Sequence, residues 1–230
     1  TGGRAFHAAD CDSDHGDYKS TPPEENQRLY ADLARLLAGS SLNGFAVGLN
    51  LQDYRQAFPR DREDYPYFWC FLETLKHNRE FVLQMLSPPN IVKFTLERKF
   101  EIEYNAAQLY NYYCQQDGWR EYIGDAVAFA SREKNVKLQA ADLLAREWMK
   151  NIDSHIGPEY RAPRRSLKAL IGSRHCFFRY YHEKQFTEMK RRQIELGFGP
   201  LPHDYDNWRA ERGLQDSTST RIQFFTFLDP

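Results

Sequence analysis

The chain has 230 residues and a formal charge of −1 at neutral pH, so its overall balance carries no signature for nucleic acid or a membrane surface, and any attraction to phosphate must be local. Four cysteines (Cys11, Cys70, Cys114, Cys176) stand far apart with no CxxC pair, which argues against a structural zinc site and against a secreted disulfide framework. The length supports one substantial core, with or without an appendage; no apolar run nears a membrane span and no signal peptide is seen, so a reducing cytoplasm is the expected setting.

The first feature in chain order is "FHAADCDSDHGDYKS", residues 6–20. Asp10, Asp12 and Asp14 occupy the first, third and fifth places of an EF-hand loop, but His15 stands where the turn glycine belongs and Thr21 where a bidentate glutamate belongs. Calcium is rejected on those two positions. "TPPE" (21–24) reads as a capping box with prolines in the first turn, and Leu29, Leu33, Leu36 and Leu37 then repeat at helical spacing up to Gly39. "LNGFAVGLNL" (42–51) alternates Phe45, Val47, Leu49 and Leu51 as a strand does. A second helix is predicted from about Pro66 through "FWCFLETLKHNREFVLQML", ended by Ser87-Pro88-Pro89-Asn90.

The next stretch carries the topology. "IVKFTLE" (91–97) and "DAVAFAS" (125–131) read as strands; "EIEYNAAQLYNYYCQQ" (101–116) and "LQAADLLAREWMKNI" (138–152) read as the helices after them. Strand–helix–strand–helix with short connections predicts a parallel sheet with right-handed crossovers. "CFFRYYHEKQFTEMKRRQIEL" adds a short strand and a helix, and "RIQFFTFLDP" reads as a closing edge strand or a docked tail. The expected class is therefore α/β, a domain over 1–195 followed by a C-terminal extension over 196–230.

Ligands of parallel α/β sheets collect at the carboxyl ends of the strands. Glu97 closes the first of the two strands, and Asp142 lies in the first turn or so of the helix after the second, so topology brings them to one sheet edge. Each has a plain structural role open to it. Asp142 could face the helix macrodipole or pair with Arg146; Glu97 could pair with Arg98, Lys99 or Lys93. Together they could instead hold magnesium or manganese, whose oxygen preference suits carboxylates and which supports phosphodiester cleavage. His7, Asp10, Asp12 and Asp14 precede the capped helix and are placed to supply a further acid, or form a solvated loop. Arg161, Arg164, Arg165 and Lys168, in "YRAPRRSLKAL", form a candidate phosphate-binding group.

Two of these stretches also carry a resemblance. "FHAADCDSDHGDY" resembles the F-H-A-x-D element, and "VKLQAADLLAREWMK" the Q-x-A-D-L-x-A element, of the bacterial family called domain of unknown function 3800; "DAVAFASREKN" is similar to the strand and serine that lead into the latter, and "IVKFTLERKF" to a strand ending in an acid. The resemblance implies a ribonuclease H-like mixed sheet flanked by helices and a nuclease dependent on magnesium or manganese, in a bacterial defence or mobile-element setting. It implies roles for Asp142, Glu97, His7 and Asp10, with Glu97, Asp142 and Asp10 as metal ligands. Members usually open with a strand bearing Asp-Glu-Ser or Asp-Asp-Ser. This chain has none and begins at Thr1, so such a strand is expected upstream, or the site is incomplete.

The rival expectation is a non-catalytic ribonuclease H-like module that binds a partner protein, or a second copy of itself, through its aromatic surface. A phosphatase using the same acids is a third. No GxSxG elbow supports a serine hydrolase, and "GFGPLPHD" lacks the lysine of a P-loop.

Overall fold

The computed structural model describes residues 5–59, 65–85, 91–116, 118–158, 160–172, 176–196 and 225–228. It is a mixed α/β protein, mainly helical, with two small sheets among the described residues. The first helix, α1 (Ala8–Asp12), is a single short turn inside the acidic stretch, followed by a 3-10 turn at Gly16–Tyr18. Next comes α2 (Pro23–Ala38), which starts and stops where proline and glycine predict. Its cap is Pro22 rather than Thr21, and no side chain caps it, so the capping box is not formed. Its buried face runs through Asn26, Tyr30 and Ala34, while Leu29 and Leu36 are exposed. Leu33 and Leu37 of the predicted stripe pack, partly buried, against the same core, so half of the stripe faces inward.

Strand β1 (Asn43–Leu49) ends earlier than predicted, because the Asn50 side chain accepts the amides of Gln52 and Asp53 at 2.9 and 3.2 Å and caps α3 (Leu51–Ala57). Leu51 thus begins a helix instead of closing a strand. After α4 (Tyr65–Met85) come β2 (Thr95–Glu97), α5 (Phe100–Cys114), β3 (Ala128–Ala130) and α6 (Val136–Ile156). The predicted Ser87–Asn90 stop lies outside the described residues. Then follow α7 (Arg165–Gly172), β4 (Cys176–Tyr181), α8 (Glu183–Leu196) and β5 (Phe225–Leu228).

One sheet has the order β4-β1-β5, with β4 parallel and β5 antiparallel to β1. Part of the 196–230 stretch therefore completes a sheet of the domain. The other sheet pairs β2 with β3 in parallel, Thr95 opposite Ala128 and Glu97 opposite Ala130. The predicted parallel crossover is present, but as a separate two-stranded layer.

Helices cover both faces of β1, which is why its alternation is blurred. On one side Ala46 packs with Phe6, Tyr30, Leu143, Leu144 and Leu170; on the other Val47 packs with Tyr54, Trp69, Cys70 and Phe186. Gly48 lets α6 come close, since a Cβ there would stand 3.0 Å from Ile152 Cδ1 and 3.3 Å from Phe178. Trp148 of α6 stacks on Phe178 of β4 with ring centroids 4.0 Å apart. A third cluster, including Phe71, Leu75, Phe94, Leu96, Ile102 and Tyr110, ties α4 and α5 to β2. The outcome is that α6 is fixed against β1 while its first turns reach the carboxyl ends of β2 and β3.

Candidate functional site

Asn135 starts α6, its side chain accepting the Lys137 amide at 3.0 Å, so the helix begins at Val136 and Asp142 falls in its second turn. Gln139 and Asp142 are three residues apart and share a face. That face grips the acidic stretch. Gln139 Oε1 accepts the Phe6 amide at 3.0 Å, and Asp142 Oδ2 accepts the Ala8 amide at 2.7 Å. The Gln139 amide donates onward to the Arg132 carbonyl at 2.8 Å, fixing the loop between β3 and α6.

Ala8 opens α1, so Asp142 satisfies one of the first-turn N–H groups that a helix leaves unpaired. His7 stands just before it. Its Nδ1 lies 3.3 Å from the Asp10 amide and 3.0 Å from Asp10 Oδ2. One nitrogen serves these one at a time, donating to the carboxylate when it carries the proton and capping the amide when it does not. Gly16 closes the turn at φ +54, and a Cβ there would come 2.7 Å from Asp10 Oδ2. The glycine is the room in which the Asp10 carboxylate sits.

Glu97 reaches the same place from β2. Its partner is Arg132, not Arg98, Lys99 or Lys93: the Arg132 Nε donates to Glu97 Oε1 at 2.7 Å, and Nη2 reaches the same oxygen. Nη1 of that guanidinium lies 3.6 Å from Asp142 Oδ2. Arg146, the predicted partner of Asp142, turns instead to Asp12 and Ser13. Topology thus brings Glu97, Asp142, Asp10 and His7 into one neighbourhood, with Arg132 bridging the first two.

Electrostatics agree with that closeness. Burial raises the Glu97 carboxyl above its ordinary value; Lys99 opposes the rise, and the negative charges of Asp142 and Glu133 add to it. Burial likewise raises Asp142, against the Ala8 amide, Arg132 and Lys99, while Asp10 adds to the rise. The donors suit a hard divalent cation in kind. Their arrangement does not form a cage: among the described residues no group of three or more His, Cys, Asp or Glu side chains is set to hold a metal ion. The guanidinium of Arg132 reaches both Glu97 and Asp142.

The remaining predicted residues divide. Arg161, Arg165 and Lys168 are exposed, the last two three residues apart on α7, whose Leu167 and Leu170 face inward. Arg164 differs from the phosphate-binding role expected of it. It pairs with Asp12 and, at 3.4 Å, with the fully buried Glu147, and lies over the Tyr30 ring at 5.2 Å. Burial would raise the Asp12 carboxyl, yet hydrogen bonds from Arg164 and Arg146 outweigh it and hold Asp12 below the usual range. Asp14 accepts from the buried Asn26 side chain at 2.8 Å. Asp12 and Asp14 therefore fold the loop, while the charge of Asp10, paired with His7, bears on Asp142. Sequence reasoning missed Arg132 and the backbone grip of Gln139. The place of "SREKN" between a strand end and a helix start at the ligand edge is the signal by which the former could have been found.

No protein-family model, curated protein or solved structure matches this chain.

Proposed function

We propose that the chain is a nuclease hydrolysing phosphodiester bonds, on a ribonuclease H-like fold, with magnesium or manganese held by Glu97 and Asp142 and, as a third ligand, Asp10. The observation that carries this reading is the meeting of two distant motif elements: residues 6 and 8 are hydrogen-bonded to Gln139 and Asp142, and Glu97 reaches Asp142 through Arg132. A solvated loop and two unrelated structural acids give no reason for that convergence at the carboxyl ends of parallel strands. A divalent ion bound there would activate water and stabilise the leaving oxygen. The chain's own groups bind and orient: Arg132 offers guanidinium donors to a phosphate oxygen, and the His7–Asp10 pair is placed to hold a water or shuttle its proton. Arg161, Arg165 and Lys168 supply exposed positive charge for the backbone of DNA or RNA.

The test is cleavage of single-stranded and duplex DNA and RNA, with a panel of small phosphate esters beside them, in magnesium or manganese. Asp142→Asn is expected to abolish nucleic-acid cleavage while the protein stays folded. Cleavage at the wild-type rate by that variant refutes the reading, and turnover of the small esters alone makes it a phosphatase.

A second reading, a non-catalytic module that binds a partner, is favoured by the same guanidinium, because Arg132 already pairs with both acids. Calorimetry with no heat of divalent-ion binding, together with a stable co-purified partner, would support it over the nuclease.

A further inference from the structure

Arg132 is held from several sides. Its carbonyl accepts from Gln139, the side chain that also fixes Phe6, and its guanidinium forks between Glu97 on β2 and Asp142 on α6. Its side chain is 18% exposed, beside Glu97 at 33% and Asp142 at 27%, so all three are partly shielded from water. Two carboxylates with burial and mutual repulsion against them require positive charge nearby. Lys99 and Arg132 both supply it, and Arg132 lies within ion-pair distance of the two acids at once.

We propose that Arg132 is the resident counter-cation of the Glu97–Asp142 pair and competes with a divalent metal for it, so that a metal enters only as the guanidinium leaves. The inference deepens the nuclease reading and rests on it for the identity of the metal site. It accounts for carboxylates that converge without forming a cage. It also assigns the loop 131–135 a positioning role: it holds the acids together in the resting protein and carries the group that must be displaced. A phosphate oxygen of the substrate is a natural new partner for that guanidinium. Substrate arrival would then clear the pair for the metal.

The experiment is calorimetric titration of the full chain with manganese chloride alone, comparing wild type with Arg132→Gln, Arg132→Lys and the double variant Arg132→Gln/Glu97→Gln. Removal of a competing unit charge beside both acids is expected to tighten manganese binding at least about tenfold in Arg132→Gln. The gain should vanish in the double variant. Arg132→Lys keeps the charge but cannot fork between two carboxylates, and is expected to fall between wild type and Arg132→Gln. It also serves if the glutamine variant does not fold, since tighter binding than wild type supports the proposal and equal binding overturns it. Equal manganese affinity in wild type and Arg132→Gln overturns it, whatever the cleavage assay shows. Tightened binding that depends on Glu97, in proteins that cleave no nucleic acid, sustains the counter-cation and defeats the nuclease reading.

Discussion

Asp142→Ala and Asp142→Asn separate what the carboxylate does for the fold from what it does for chemistry. The Ala8 amide donates to Asp142 Oδ2 at 2.7 Å, and Ala8 is fully buried, so water is poorly placed to replace the acceptor. Truncation to alanine leaves that N–H unpaired, at a cost of about 1–3 kcal/mol. Asparagine keeps an oxygen in the same position. It surrenders only the charge, whose ion pair with Arg132 is long at 3.6 Å, so the loss is expected to stay within about 1 kcal/mol. In a chain of this size each kcal/mol moves Tm by about 2–4 °C, so alanine should lower it by about 2–12 °C and asparagine by less than alanine does, under about 4 °C. Thermal unfolding followed by far-ultraviolet circular dichroism at fixed pH reads both. Equal Tm for the two variants would refute the reasoning, because the Ala8 bond would then carry no weight and the grip of α6 on the acidic stretch would be incidental.

Arg164→Ala removes a guanidinium from the fully buried Glu147, which keeps the hydrogen bond from Ser166, and takes one of two arginines from Asp12. A loss of about 3 kcal/mol is expected, read as a Tm fall of about 6–12 °C. Charge reversal of Arg165 and Lys168 together should leave Tm nearly unchanged and weaken binding to a single-stranded oligonucleotide, with a shallower salt dependence. Gly16→Ala places a Cβ 2.7 Å from Asp10 Oδ2 at a φ of +54, so about 1–2 kcal/mol of stability should be lost, with Asp10 forced off His7; a Tm drop of about 2–8 °C checks it. Glu97 and Asp142 both have folded values raised above their ordinary 4.5 and 3.8, chiefly by burial. Such groups add stability in full below those ordinary values, and it is lost as pH rises through the raised ones. The Tm of wild type relative to Glu97→Gln/Asp142→Asn should therefore fall across that rise. A relative Tm that climbs instead would mean that pairing with Arg132 outweighs burial.

Much of the framework was legible because pattern and punctuation agreed. Prolines and Gly39 bracket α2, the aromatic run of α4 is long and periodic, and the β2–α5–β3–α6 order follows from alternating runs with short connections. What escaped was local or two-sided. The helix α3 depends on a single asparagine cap after a strand whose apolar run gave no reason to stop at Leu49. The turn α1 is held by Asp142 from more than a hundred residues away, so no local pattern could announce it. The strand β1 lost its simple alternation because helices press on both of its faces. For the site, topology was enough to bring Glu97 and Asp142 to one edge. The partner choices of Arg132, Arg146 and Arg164 were not, since long flexible cations select among several acids by three-dimensional reach alone.

The strand Phe225–Leu228 lies antiparallel along Asn43–Ala46, opposite the side taken by Cys176–Tyr181. A chain cut back to the end of α8 would keep both helical layers but bare a row of amides and carbonyls down one flank of β1. Such a flank recruits whatever extended peptide is at hand, including the same segment of a neighbouring molecule. Edge-to-edge pairing through β1 is the expected consequence of that truncation, one that leaves the carboxylates and their arginine untouched.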